Sequence, residues 1–200
     1  ITACEAEVQD LVIVATKNHH LEDAIAMMRP LVGAHTTILS LLNGIESEEE
    51  LSAAFGPSHV LYGFCVGLNS THTGNAITYT AEGRIVFGER DNTESERVRP
   101  LSALFSRAGI ASQVPDDIMV ALYNKFMLNT AYNTISALLG ATYRELDKDA
   151  VWRLAKAVSA EVQAVAKREG VIPNDQLSLN DDIDEVKASL KVGDKIECIV

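Results

Sequence analysis

Apolar residues fall in short continuous runs early in the chain and at helical intervals late in it. "DLVIVATK", Asp10 to Lys17, is a β-branched and apolar run bounded by polar residues, which predicts a strand buried on both faces. A helical segment is expected over His20 to Met28, stopping before Pro30 because the residue ahead of proline is steered out of the helical region. "TTILSLLNG", Thr36 to Gly44, repeats the strand signal and breaks at Asn-Gly. "ESEEELSAAFG" reads as a helix with an acidic first turn, ended by Gly56, and "HVLYGFCVG", His59 to Gly67, as the third strand. This β-α-β-α-β rhythm implies a parallel, doubly wound α/β sheet with right-handed crossovers.

The texture then changes. "AITYTAEGRIVFGE", Ala76 to Glu89, alternates around Glu82-Gly83 and predicts a β-hairpin there. A helix is expected over Glu94 to Ala108, with Pro100 inside its span, and "GIASQVPD" is a further extended piece. Past Asp116 the pattern is helical, in two long segments over Asp117 to Leu139 and Asp149 to Glu169. A boundary near Pro115 therefore divides an α/β part, residues 1–115, from an all-helical part, residues 116–174, with residues 175–200 left as an unassigned tail.

Charge and composition narrow the classes. Two hundred residues, 47% of them hydrophobic, suffice for a real core, and a formal net charge of −11 argues against nucleic acid or an anionic membrane as partner. Cys4, Cys65 and Cys198 are far apart, odd in number and without C-x-x-C spacing, as expected of reduced thiols. The five histidines lack metal-ligand spacing, so no metal site is expected, and no G-x-S-x-G elbow occurs. No apolar run approaches the ~20 residues of a membrane helix and no leader opens the chain, so the cytoplasm is the default location. The chain opens at "ITACEAEV" without an initiator methionine, and an upstream portion is expected.

Polar residues set against the pattern mark the candidate chemistry. In open α/β sheets ligands bind beyond the carboxyl ends of the strands, where Lys17 closes the first strand and Asn43 the second. Each alone is more often a turn residue than a ligand contact, and two on the same edge raise the weight of a crevice without making it the majority reading. In "NKFMLNTAYN", Lys125, Asn129 and Asn133 are four residues apart, so on a helix they drift only about 40° and rise about 6 Å per step, forming one polar line. Leu128, Ala131, Tyr132, Ile135 and Leu139 supply the apolar stripe beside it. An amine and two amides without carboxylates suit a cleft that donates hydrogen bonds to an oxygen-rich substrate, although three polar residues on a helix more often face water. On the second long helix Glu161 shares a face with Leu154, Val158 and Val165, where it needs a basic partner or an edge position that reaches solvent.

"DLVIVATK", "LSLLNGIESEEEL", "VLYGFCVG", "GRIVFGE", "NKFMLNTAYNTISALLGATYREL" and "EVQAVAKREG", in this order, resemble the ketopantoate reductase (2-dehydropantoate 2-reductase) family over Asp10 to Gly170. The resemblance implies the second half of a Rossmann-type doubly wound sheet followed by an all-helical domain. It implies NADPH as cofactor, a small keto acid as substrate, and a homodimer as one possible assembly. It further implies Lys125 as general acid, Asn129, Asn133 and Glu161 as substrate-binding residues, and Lys17 and Asn43 near cofactor and substrate.

Two departures stand beside it. The family's G-x-G-x-x-G loop has no counterpart in this chain, whose first matched strand is similar to one from the middle of the family's nucleotide domain. "NDQLSLNDDIDEVKASLKVGDKIECIV" does not resemble the family's closing helices, and its end is faintly similar to the opening of an S1-type barrel. Alternative readings are a related NAD(P)-dependent 2-keto or 2-hydroxy acid dehydrogenase, and a non-catalytic fragment or interaction module.

Overall fold

The computed structural model describes residues 7–140 and 149–171, and the chain divides into two compact units that meet between Met119 and Val120. Cys4, Cys198 and the strand expected in "LKVGDKIECIV" lie outside the described residues.

The first unit is a five-stranded sheet in the order β1 (Leu11–Val14), β2 (Thr37–Ser40), β3 (Val60–Thr73), β4 (Ala76–Gly88) and β5 (Ser112–Gln113). β1, β2 and β3 are parallel, β4 is antiparallel to β3, and β5 runs parallel to β4. Helix α1 (Leu21–Met28) joins β1 to β2, and α2 (Ser47–Phe55) joins β2 to β3. The strand period of two sends neighbouring residues to opposite faces. Ile38 packs with Val14, Leu21, Met28 and Leu51 on one side, while Leu39 packs with Leu61, Phe87, Leu101 and Phe105 on the other. Leu101 and Phe105 belong to α3 (Val98–Arg107), so helices cover both faces of the sheet, as a doubly wound fold requires. Pro100 is accommodated because it lies in the first turn of α3, where a backbone N–H has no partner within the helix.

Two expectations for this unit are corrected. β1 is the edge strand of the described sheet, and Ile13 is 44% exposed, so the strand is not buried on both faces. No hairpin turns at Glu82-Gly83. β3 and β4 instead form one long ribbon that turns at Gly74-Asn75, with Gly74 at φ 59° in the first central position, where a type II′ turn calls for glycine. Gly83 faces Gly67 across the ribbon, both at positive φ, and a Cβ on Gly83 would stand 2.5 Å from the Val66 carbonyl oxygen. That glycine marks a close approach of two backbones.

The second unit is helical. α4 (Ile118–Leu128) starts in the first unit, is followed by a π-helical turn over Asn129–Asn133, and the helix resumes as α5 (Thr134–Leu139). The single helix expected over Asp117 to Leu139 is thus interrupted by one wide turn at the two asparagines. The start of α4 stays with the sheet unit because the Ile118 amide donates to Asn92 Oδ1 at 2.8 Å and the Ile118 side chain meets Gly88. The compact units therefore meet beyond Pro115. α6 (Asp149–Arg168) packs against the π-turn. Its buried residues are Ala155, Ser159, Val162 and Ala166, whereas Leu154 and Val165, expected on the buried face, are exposed.

Candidate active site

Lys17 and Asn43 stand together at the carboxyl edge of the parallel strands. Val14 and Ser40 are register partners that end β1 and β2, and each candidate lies three residues past the end of its strand. Both are exposed. The Lys17 carbonyl accepts from the His20 amide at 2.9 Å, opening the short 3-10 turn that leads into α1. Gly44 follows Asn43 at φ 108°, and a Cβ there would meet nothing within 4 Å, so the turn borders open space.

A carboxyl that the pattern did not single out lies directly beneath this turn. Glu48, in the first turn of α2, is 1% exposed. Its Oε2 accepts from Ser47 Oγ at 2.9 Å, Ser47 Oγ meets Ser40 Oγ at 2.8 Å, and the Leu42 amide donates to Ser40 Oγ at 3.3 Å. Gly63 N–H approaches Glu48 Oε1 at 3.5 Å. The carboxyl is raised from 4.5 to about 7: burial pushes it up, the hydrogen bonds, led by that of Ser47, offset part of the push, and the neighbouring charge of Glu49 adds a little to it. Glu49 itself faces out, accepting from Tyr62 Oη at 2.8 Å and pairing with Arg90, whose guanidinium also reaches Tyr62 Oη at 2.7 Å. Loss of water around the phenol and its bond to Glu49 push Tyr62 up to about 12. The spacing Glu48, Leu51, Phe55 places the carboxyl on the helix face that carries buried Leu51, the one signal in sequence that it turns inward.

In the second unit Lys125 is half-buried in the last turn of α4, and Asn129 and Asn133 begin and end the π-turn. Asn133 Nδ2 donates to Asn129 Oδ1 at 2.9 Å, so the two amides act as one linked pair. Ala131, Tyr132 and Ile135 of the expected stripe are buried, Leu128 is half-buried and Leu139 is exposed. Thr130 Oγ1 donates back to the Phe126 carbonyl at 2.9 Å, giving that carbonyl a partner beside the wide turn. Glu161 lies on the exposed side of α6.

The chain is matched by two family profiles, "Ketopantoate reductase PanE/ApbA" over residues 2–92 and "Ketopantoate reductase PanE/ApbA C terminal" over residues 117–192. The chain belongs to the ketopantoate reductase family. The C-terminal match runs to residue 192, so the family likeness extends past Gly170 into a segment expected not to match. Among its relatives is a 2-dehydropantoate 2-reductase of Mesorhizobium japonicum, 29% identical over 188 residues, 84% of this chain and 58% of the relative. The solved 2-dehydropantoate 2-reductase of Geobacter metallireducens GS-15 superposes with a TM-score of 0.82 at 27% identity, over 94% of this chain and 62% of that one. A D-mandelate dehydrogenase solved with NADH and anilino(oxo)acetate shares the fold at 21% identity, with a TM-score of 0.80 over 93% of this chain and 60% of its own. The chain spans less than two thirds of the length of each of these proteins.

Ketopantoate reductases have a Rossmann-like domain followed by a helical domain, the order seen here. The family uses a nicotinamide cofactor. Lys17 and Asn43, just past the ends of β1 and β2, are exposed side chains with N–H donors, the chemistry that one end of such a molecule requires, and the Gly44 turn borders open space. No G-x-G-x-x-G run occurs in the 200 residues.

Proposed function

We propose that the protein of which this chain forms part reduces 2-dehydropantoate to (R)-pantoate with NADPH, a reaction that serves pantothenate and coenzyme A biosynthesis in the cytoplasm. The observation that carries the reading is the linked amide pair Asn129–Asn133, one helical turn beyond Lys125, in a chain matched by both parts of the family. The bound nicotinamide supplies hydride, which no side chain can.

The remaining roles fall to this chain's residues. As the ketone carbon accepts hydride its oxygen becomes alkoxide-like, and the Lys125 ammonium stabilises that charge and donates the proton that completes the alcohol. Asn129 and Asn133 hold the substrate's hydroxyl and carboxylate end, their mutual hydrogen bond fixing the orientation of both amides. Glu161 is assigned to substrate binding by the family resemblance alone. Lys17 and Asn43 lie towards the cofactor, and the protein is taken to act as a homodimer.

Oxidation of NADPH that depends on 2-dehydropantoate tests the reading, with Asn129→Ala and Asn133→Ala as controls. Each variant should raise KM for the keto acid about tenfold, the loss of one or two hydrogen bonds. A preference for a keto acid without a hydroxyl group would instead identify a different 2-keto acid dehydrogenase.

A further inference from the structure

We propose that Glu48 is a positioning residue that sets the turn carrying Asn43 through a buried relay of Ser47 and Ser40. This rests on the reading above only for its consequence in turnover; its structural part stands on the sheet unit alone.

The relay is continuous. The Leu42 amide donates to Ser40 Oγ, which touches Ser47 Oγ, which donates to Glu48 Oε2. Each hydroxyl has a single proton, and Ser47 spends its proton on Glu48, so Ser40 donates to Ser47 and accepts from Leu42. Every member thus has a defined direction. Leu42 is the residue immediately before Asn43, so the backbone amide that leads into the turn is held, two hydroxyls away, by a carboxyl on the next helix. Glu48 Oε1 meanwhile reaches Gly63 of β3, which ties the relay to the centre of the sheet.

Side-chain burial supports a role beyond filling space. Ser40 and Ser47 are also buried, at 0% and 3% exposure, in positions where three apolar side chains would avoid the cost of enclosing polar groups. Glu49 is the charged neighbour that acts on Glu48, and its own contacts to Tyr62 and Arg90 face away from the relay. Glutamine at position 48 can accept from Gly63 and donate to Ser47, preserving the connection with the Ser47 and Ser40 protons redirected.

Backbone amide exchange on the full protein tests the first link, with Glu48→Ala, Ser47→Ala and Glu48→Gln compared with the parent. Exchange at Leu42 to Gly44 should rise at least tenfold in the two alanine variants, stay near the parent in Glu48→Gln, and remain unchanged at Leu61 and Phe87. Unchanged exchange at Leu42 to Gly44 in Ser47→Ala, which retains the carboxyl and is the milder change, would overturn the proposal whatever the protein catalyses. The second link is a cycle of Glu48→Ala and Asn43→Ala on 2-dehydropantoate reduction. The two losses should overlap, with the double variant no worse than Asn43→Ala within twofold. Losses that multiply would overturn the link to the site. Faster exchange in the alanine variants, with a parent protein that does not reduce 2-dehydropantoate, would retain the positioning role and reject the reaction assigned above.

Discussion

Replacing Glu48 by glutamine should change how stability depends on pH, in a direction the structure dictates. In the unfolded chain this carboxyl ionises near 4.5, whereas in the folded protein burial holds it neutral up to about 7. Below pH 4.5 both states are protonated and the group is neutral to the balance. Between 4.5 and 7 the unfolded chain loses its proton first, so the native state loses about 1.4 kcal/mol of stability per pH unit. Above 7 the folded carboxyl is also charged and the deficit levels off at roughly 3 kcal/mol. Glutamine keeps the shape and the hydrogen-bonding capacity without the titration. Urea denaturation followed by circular dichroism at intervals from pH 4.5 to 8 measures both proteins, and the difference between them cancels every other titrating group. Glu48→Gln should gain on the parent steadily across that window, by about 3 kcal/mol in total. A difference that is flat with pH would refute the reasoning, because it would mean that Glu48 ionises as freely in the folded protein as in the unfolded chain.

Other consequences follow from the same packing. Arg97 makes a double hydrogen bond to Glu89 at 2.7 and 2.6 Å and reaches the Ser58 and Val60 carbonyls, with both charged side chains largely covered. Arg97→Ala should therefore cost about 3 kcal/mol in chemical denaturation, whereas Arg99→Ala, whose pair with Glu94 is exposed, should change stability by less than about 1 kcal/mol. Gly63→Ala places a Cβ 2.7 Å from Leu39 Cδ1 and 3.2 Å from the Ser40 and Val86 carbonyl oxygens, in the middle of the sheet. It should lower stability by about 1–3 kcal/mol, read as an earlier urea midpoint.

The order of elements through β3 was legible because each strand and helix there carries its own local signal: apolar runs, an acidic first turn, and Gly56 at φ 97° ending α2. The polar positions of Lys17 and Asn43 just past the ends of β1 and β2 were legible for the same reason. The hairpin was misplaced because glycine beside an acidic residue signals a turn, and nothing local distinguishes that from a glycine needed where Gly67 and Gly83 cross at close range. Gly74-Asn75 is the turn, hidden in a polar stretch of "NSTHTGNA" whose strands face solvent and lack an apolar alternation. The break at Asn129–Asn133 escaped because a π-turn leaves composition unchanged and alters only the register of backbone bonds. On α6 hydrophobicity pointed to Leu154 and Val165, but the packed face carries Ala155, Ser159 and Ala166, whose small side chains allow close contact with the π-turn. Glu48 was hidden among the acidic residues Glu46, Glu49 and Glu50, all of them exposed, and it alone of the four turns inward.

In the proposed reaction Lys125 protonates a keto-acid oxygen as hydride arrives. Steady-state NADPH oxidation with saturating 2-dehydropantoate, comparing the parent protein with Lys125→Ala, tests it most directly. Turnover is expected in the parent, with a fall in kcat of about a hundredfold or more in the variant, the range for loss of a general acid. Equal kcat in the two proteins would contradict it.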